Sequence, residues 1–176
     1  MNKNLINPKF WALTLMILAA AFTRLIPHYP NFTAVGAMAL FGGAYFSKKY
    51  LAFIVPIIAL LISDIFLGFY SGMWVVYLSF ALIVVIGMQI RQTKKPGKVL
   101  LASVSASVSF FLITNFALFP PNTIYPQNLT GIVESYTAAI PFFSYTLLGD
   151  LFFVGIMFGI FEIAKTKFPS LTEAKI

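Results

Sequence analysis

No cysteine occurs in the 176 residues, and histidine occurs once, at His28. Disulfides, thiolate zinc sites and thiol nucleophiles are therefore excluded, and no histidine cluster can hold a metal. Charge is almost as scarce: 10% of the residues are charged, and only 5 are acidic. A soluble domain of this size needs far more charge to cover its surface. The chain also lacks a Walker A phosphate loop, a Gly-x-Ser-x-Gly elbow and a His-Glu-x-x-His zinc motif. It has no means of hydrolysing ATP, and we expect no enzymatic activity, no cofactor and no metal.

What the sequence has in quantity is apolar surface. Hydrophobic residues make up 60% of the chain, 20 of them Phe, and mean hydropathy is +0.90. The net charge of +7 comes from short basic clusters between apolar runs, a pattern of membrane topology rather than of nucleic-acid binding. The length allows one domain over residues 1–176, with apolar runs at about 10–26, 32–46, 50–69, 73–90, 99–119 and 140–163. Crossing ~30 Å of hydrocarbon takes ~20 helical residues, and five of the six runs come close. The second is short and carries Gly36, Gly42 and Gly43, so it is expected to tilt little, stay buried among its neighbours or unwind in part. Pro30-Asn31 before it reads as a helix start with Asn31 as cap. Ala19-Ala20-Ala21 could pass for a signal-peptidase site, but the apolar run continues to Leu25-Ile26, which favours a retained first helix.

The basic residues orient these spans. With six spans and a cytoplasmic N-terminus, Lys3, Lys9, Lys48, Lys49, Arg91, Lys94, Lys95, Lys98, Lys165, Lys167 and Lys175 fall inside and only Arg24 falls outside. Five spans with the N-terminus outside would give ten inside and two outside, a poorer split. The expected architecture is an all-α six-transmembrane-helix bundle in a bacterial inner membrane, with both termini cytoplasmic. Arg91–Lys98 is then a short inner loop, and Pro120–Ala139 a long outer loop of the kind that often serves as a lid. Asn128-Leu129-Thr130 matches a glycosylation sequon by chance. Gly155-x-x-x-Gly159 and Ala39-x-x-x-Gly43 permit close helix approach, within the bundle or to a partner.

Three rare charges inside apolar runs share one depth. Arg24 lies 15 residues after Lys9, Asp64 15 after Lys49, and Asp150 15 before Lys165. Each is thus ~22 Å above the inner boundary if the helices are regular. Asn31 and Asn115 fall slightly higher, and His28, Tyr70 and Trp74 belong to the same rim, where Tyr77 also fits an interfacial aromatic belt. Ionisable groups at such depth cost ~2.5–3.5 kcal/mol each near a helix centre unless they pair or face water. Two arrangements satisfy them: Arg24 pairs with one aspartate and knits helices together, or the set floors an outward-open cavity. The expected substrate-binding set is Arg24, His28, Asn31, Asp64, Tyr70, Trp74, Asn115 and Asp150. A stand-alone carrier using Asp64 and Asp150 as proton sites, or a structural subunit of a membrane complex, would use the same residues differently.

The stretch from Arg24 to Ala44 (RLIPHYPNFTAVGAMALFGGA), followed by Ser63-Asp64 and Gly149-Asp150, resembles a family of small bacterial membrane proteins labelled as transport proteins. That family is in turn similar to the substrate-binding S components of energy-coupling factor (ECF) vitamin transporters, which include a cobalamin-transporting branch. The resemblance covers nearly the whole chain in length and layout. It implies six helices, a site open to the outside for a vitamin or related small solute, and an ATPase-driven membrane partner module. Two positions depart from the pattern: Ala12 is followed by Met16 where S components commonly show Ala-x-x-x-Ala, and the cobalamin branch's cysteine has no counterpart. Partners are otherwise expected to be the solute and membrane lipid, with no nucleic acid.

Overall fold

A computed structural model describes residues 7–116 and 124–173. Lys3, Lys175, the end of the expected fifth span and the turn residues Pro120, Pro121 and Asn122 lie outside the described residues. Every element among the described residues is helical: α1 (Pro8–Phe22) with a 3-10 turn (Thr23–Leu25), α2 (Val35–Tyr45), α3 (Lys49–Leu67), α4 (Met73–Gln89), α5 (Pro96–Thr114), α6 (Leu129–Lys167) and α7 (Ser170–Glu173). Four stretches are long and apolar enough to cross a membrane: Pro8–Leu25, Lys49–Leu67, Pro96–Thr114 and Leu129–Lys167. α2 and α4 are apolar but shorter. The outward face of α3 carries Ile54, Ile58, Leu61 and Ile65, each at least 39% exposed, at helical spacing. A soluble protein rarely leaves such a stripe uncovered, and the set is compatible with a multi-pass membrane protein.

The short second run becomes the centre of the bundle. All eleven residues of α2 are buried, and it packs against α1, α3, α4, α5 and α6. At ~16 Å it is about half as long as a hydrocarbon layer is thick, and both of its ends are satisfied by neighbouring side chains. Its glycines make the packing possible. A Cβ on Gly43 would overlap the Val84 carbonyl oxygen and lie 2.9 Å from Gly87 Cα, and one on Gly42 would lie 2.5 Å from Pro56 Cγ. Below the crossing, Phe41 and Tyr45 lock onto Phe158 and Phe161 of α6, with ring centroids 4.6–5.6 Å apart.

Opposite charges hold the two ends of α2. At the C-terminal end, Arg91 donates from Nε to the Gly43 carbonyl at 2.8 Å and from Nη1 to that of Ser47 at 3.3 Å. At the N-terminal end, the Asp150 carboxylate accepts from the backbone N–H groups of Gly36 and Ala37. Each charge opposes the helix dipole and satisfies groups that no helix can satisfy internally. Arg91→Leu removes the inner clamp, and we expect a loss of about 2 kcal/mol, read as a lower unfolding midpoint in detergent.

Two expectations need correction. Asn31 does not cap α2: the helix starts at Val35 after Ala34, and Asn31 sits in the preceding turn at φ 63°, a conformation that asparagine tolerates better than most residues. The second half of the expected Pro120–Ala139 loop is helical, because α6 begins at Leu129 and continues through Pro141 to Lys167. Asn128, read above as a chance sequon, is its N-cap and accepts from the Gly131 N–H at 3.1 Å. Ser135 and Tyr136 then donate to the carbonyls of Asn115 and Leu112 at 2.9 and 2.6 Å. The early turns of α6 thereby satisfy the C-terminal carbonyls of α5, a tertiary gain that local composition does not reveal.

Candidate functional site

Where the 3-10 turn after α1, the N-terminus of α4 and the C-terminus of α5 meet, the bundle opens into a cavity of about 480 Å³. It lies at the end remote from the lysine clusters. Its lining combines the rings of Phe110, Phe111, Phe142 and Phe143 with polar groups that include Arg24, Asn31, Tyr70, Asn115 and Asp150. Those five belong to the set of eight expected from the sequence.

Arg24 and Asp64 form an ion pair, Nη1 to Oδ1 at 2.7 Å, with the aspartate 1% exposed. Arg24 also donates to the Ser63 hydroxyl, which in turn donates to the Leu60 carbonyl at 2.7 Å. Tyr77 donates to the second oxygen of Asp64 at 2.9 Å. Both oxygens of Asp64 are thus occupied, and the residue does not line the cavity. The Arg24–Asp64–Tyr77 chain ties the turn after α1 to α3 and α4. Tyr70, between α3 and α4, feels both charges: burial and Asp64 raise its pKa, and Arg24 lowers it.

Asp150 is placed differently. It is 3% exposed, lines the cavity and accepts from the Ser107 hydroxyl at 2.6 Å besides the two N–H groups of α2. Two glycines bring it there. A Cβ on Gly149 would lie 3.0 Å from the Thr33 nitrogen, a tight contact, so glycine there lets α6 press closely against the segment leading into α2. A Cβ on Gly36 would collide with the Asp150 carboxylate itself. Of the two arrangements open from the sequence, Arg24 pairs with Asp64 and also lines the cavity, while Asp150 is satisfied by a helix N-terminus and a hydroxyl instead of a cation.

Three members of the expected set lie away from the cavity: Asp64, His28 and Trp74 do not line it. His28 is exposed, with Nδ1 2.6 Å from the Ile26 carbonyl oxygen, and Trp74 is 49% exposed. Sequence reasoning did not assign Tyr77 to Asp64 or Ser107 to Asp150. Serines alternate along α5 at Ser103, Ser105, Ser107 and Ser109, and that spacing does not distinguish Ser107 from Ser103, which is also buried. Among the described residues, no group of three or more His, Cys, Asp or Glu residues could hold a metal ion.

No curated protein and no solved structure matches the chain. A family model described as "Family of unknown function (DUF6580)" matches residues 4–171, nearly the whole length. The chain, with its charge-clamped central helix and its polar cavity, belongs to the DUF6580 family.

Proposed function

We propose that this protein is a bacterial inner-membrane transport protein that takes a small solute, of the size and class of vitamins and related micronutrients, from the outer face. In this reading all six helices from α1 to α6 lie within the membrane, both termini are cytoplasmic, and an ATPase-driven membrane partner supplies energy, as the likeness to ECF S components implies. It is a binding and transport component and performs no catalysis. The observation that carries the reading is the cavity of about 480 Å³ at the lysine-poor end, where the partly buried Arg24 and the buried Asp150 reach a wall otherwise rich in aromatic rings. That volume suits a compact ligand, and a few polar groups in an apolar wall are the usual makeup of a small-molecule site. The rings supply stacking area and Arg24 attracts an acceptor or anionic group.

The test is to purify the full-length chain, identify any co-purified small molecule by mass spectrometry, and measure thermal unfolding against a panel of micronutrients. One compound should raise the unfolding midpoint by several degrees at saturation. Tyr70→Ala should weaken its binding about fivefold through lost ring contact, without changing the midpoint of the ligand-free protein. A chain that carries no small molecule and that no compound stabilises would sink the proposal.

One observation favours a second reading, a proton-coupled carrier. Asp150 lines the cavity with a hydroxyl and backbone N–H groups as its partners, whereas Asp64 is already neutralised by Arg24. That supports Asp150 rather than Asp64 as the proton site in this reading. Uptake into proteoliposomes should then depend on pH, and the dependence should vanish in Asp150→Asn while persisting in Asp64→Asn.

A further inference from the structure

We propose that the groove between α5 and α6, at the lysine-rich end of the bundle, is a binding site for one anionic phospholipid. The groove encloses about 400 Å³ and runs along α6 from Leu151, the residue after Asp150 of the solute cavity, to Lys94 and Glu162 at the lysine-rich end. Val99 and Leu100 of α5 form one wall, and Leu151, Val154 and Phe158 of α6 form the other. The α6 side is open because Gly155 and Gly159 have no side chains: a Cβ at either position would meet nothing within 4 Å. The small-residue pair read from the sequence as a packing motif therefore packs against nothing in this chain.

Charge decides the occupant. The groove is apolar from Leu151 to Phe158 and ends beside Lys94 and Glu162. Both Glu162 oxygens are engaged, one by Tyr45 at 2.5 Å and the other by Lys165 at 2.7 Å, so the carboxylate is already compensated. Lys95 and Lys98 flank the first turn of α5, whose N-cap makes no side-chain hydrogen bond. Burial and the neighbouring Lys165 lower the pKa of Lys94, against the opposing pull of Glu162, and an incoming phosphate would offset that strain. An apolar trough that ends at Lys94 beside the first turn of α5, with Lys95 and Lys98 close by in sequence, matches the order of a phospholipid, acyl chain first and anionic head group last. A second copy of this chain fits less well, since a two-fold contact through the groove would bring the basic clusters of both copies to one interface. The inference needs only that the chain lies in a membrane, so it stands or falls apart from the solute reading.

Native mass spectrometry of the full-length protein, released from bilayers of mixed phosphatidylglycerol and phosphatidylcholine, tests it. The parent should retain phosphatidylglycerol in preference to phosphatidylcholine. Lys94→Gln and Lys98→Gln should each weaken that retention about fivefold. Gly155→Leu fills open space, so the variant should fold as the parent does yet lose the retained lipid. Equal retention of the two lipids, or undiminished retention in Gly155→Leu, would overturn the proposal. So would a dimeric parent that Gly155→Leu converts to monomer, since the groove would then belong to a second copy.

Discussion

Arg24→Met should destabilise the protein by about 3–5 kcal/mol, the usual cost of leaving one member of a buried ion pair without its partner. Asp64 is 1% exposed and would retain only the Tyr77 hydroxyl on its second oxygen. The variant should show a much lower unfolding midpoint in detergent and a reduced folded yield. The double variant Arg24→Met/Asp64→Leu should recover most of the loss, because replacing a whole buried pair by apolar residues is often nearly neutral. Neutral hydrogen bonds between membrane helices average only ~0.6 kcal/mol, so a large single-variant effect with recovery in the double variant marks an ionic clamp. Losses in the single variants that simply add in the double variant would contradict it. If the cavity binds the proposed solute, the same pair of variants separates structure from binding: stability should return in the double variant and affinity should not, since Arg24 lines the cavity and Asp64 does not.

The reason for that separation was only half visible in the sequence. Lysine spacing placed Arg24, Asp64 and Asp150 at one depth, and the Arg24–Asp64 contact at 2.7 Å agrees with it. Depth along a helix says nothing of direction around it, so spacing could not tell which aspartate Arg24 faces. Glycines settle the matter instead: Gly149 and Gly36 make room for Asp150 at the start of α2, far enough from Arg24 to need its own partners. The helices themselves were easier to read. Hydropathy placed α3 and α4 within about two residues of their ends, since a long apolar run in lipid has no alternative to helix. The start of α2 was misjudged because its N-terminal charge comes from another helix, 114 residues away in sequence from Gly36 to Asp150. The early turns of α6 were missed for the same reason, their hydrogen bonds running to the end of α5.

The crossing of α2 over α4 should be the least tolerant point of the fold. A side chain at Gly43 meets backbone, the Val84 carbonyl oxygen and Gly87 Cα, and a side chain at Gly87 meets the Leu40 carbonyl oxygen in return. Rotamer changes cannot relieve a clash with backbone, so α2 must move away from α4 or the bundle must fail to close. Gly43→Leu should therefore cost about 4 kcal/mol or more, above the ~1–3 kcal/mol typical of overpacking, and yield little folded protein. Gly155→Leu, with open space around its Cβ, is the matched control and should change stability by less than about 0.5 kcal/mol. The smaller Gly43→Ala is the informative variant. If it folds, it can do so only by shifting α2 along its axis or away from α4, and that shift carries Val35 and Gly36 with it at the cavity wall. Solute affinity should then fall although Gly43 is ~10 Å down the helix from Gly36. Gly43→Ala with parental affinity and parental stability would mean that the crossing is looser than its geometry implies, and that the site does not depend on how tightly α2 is held.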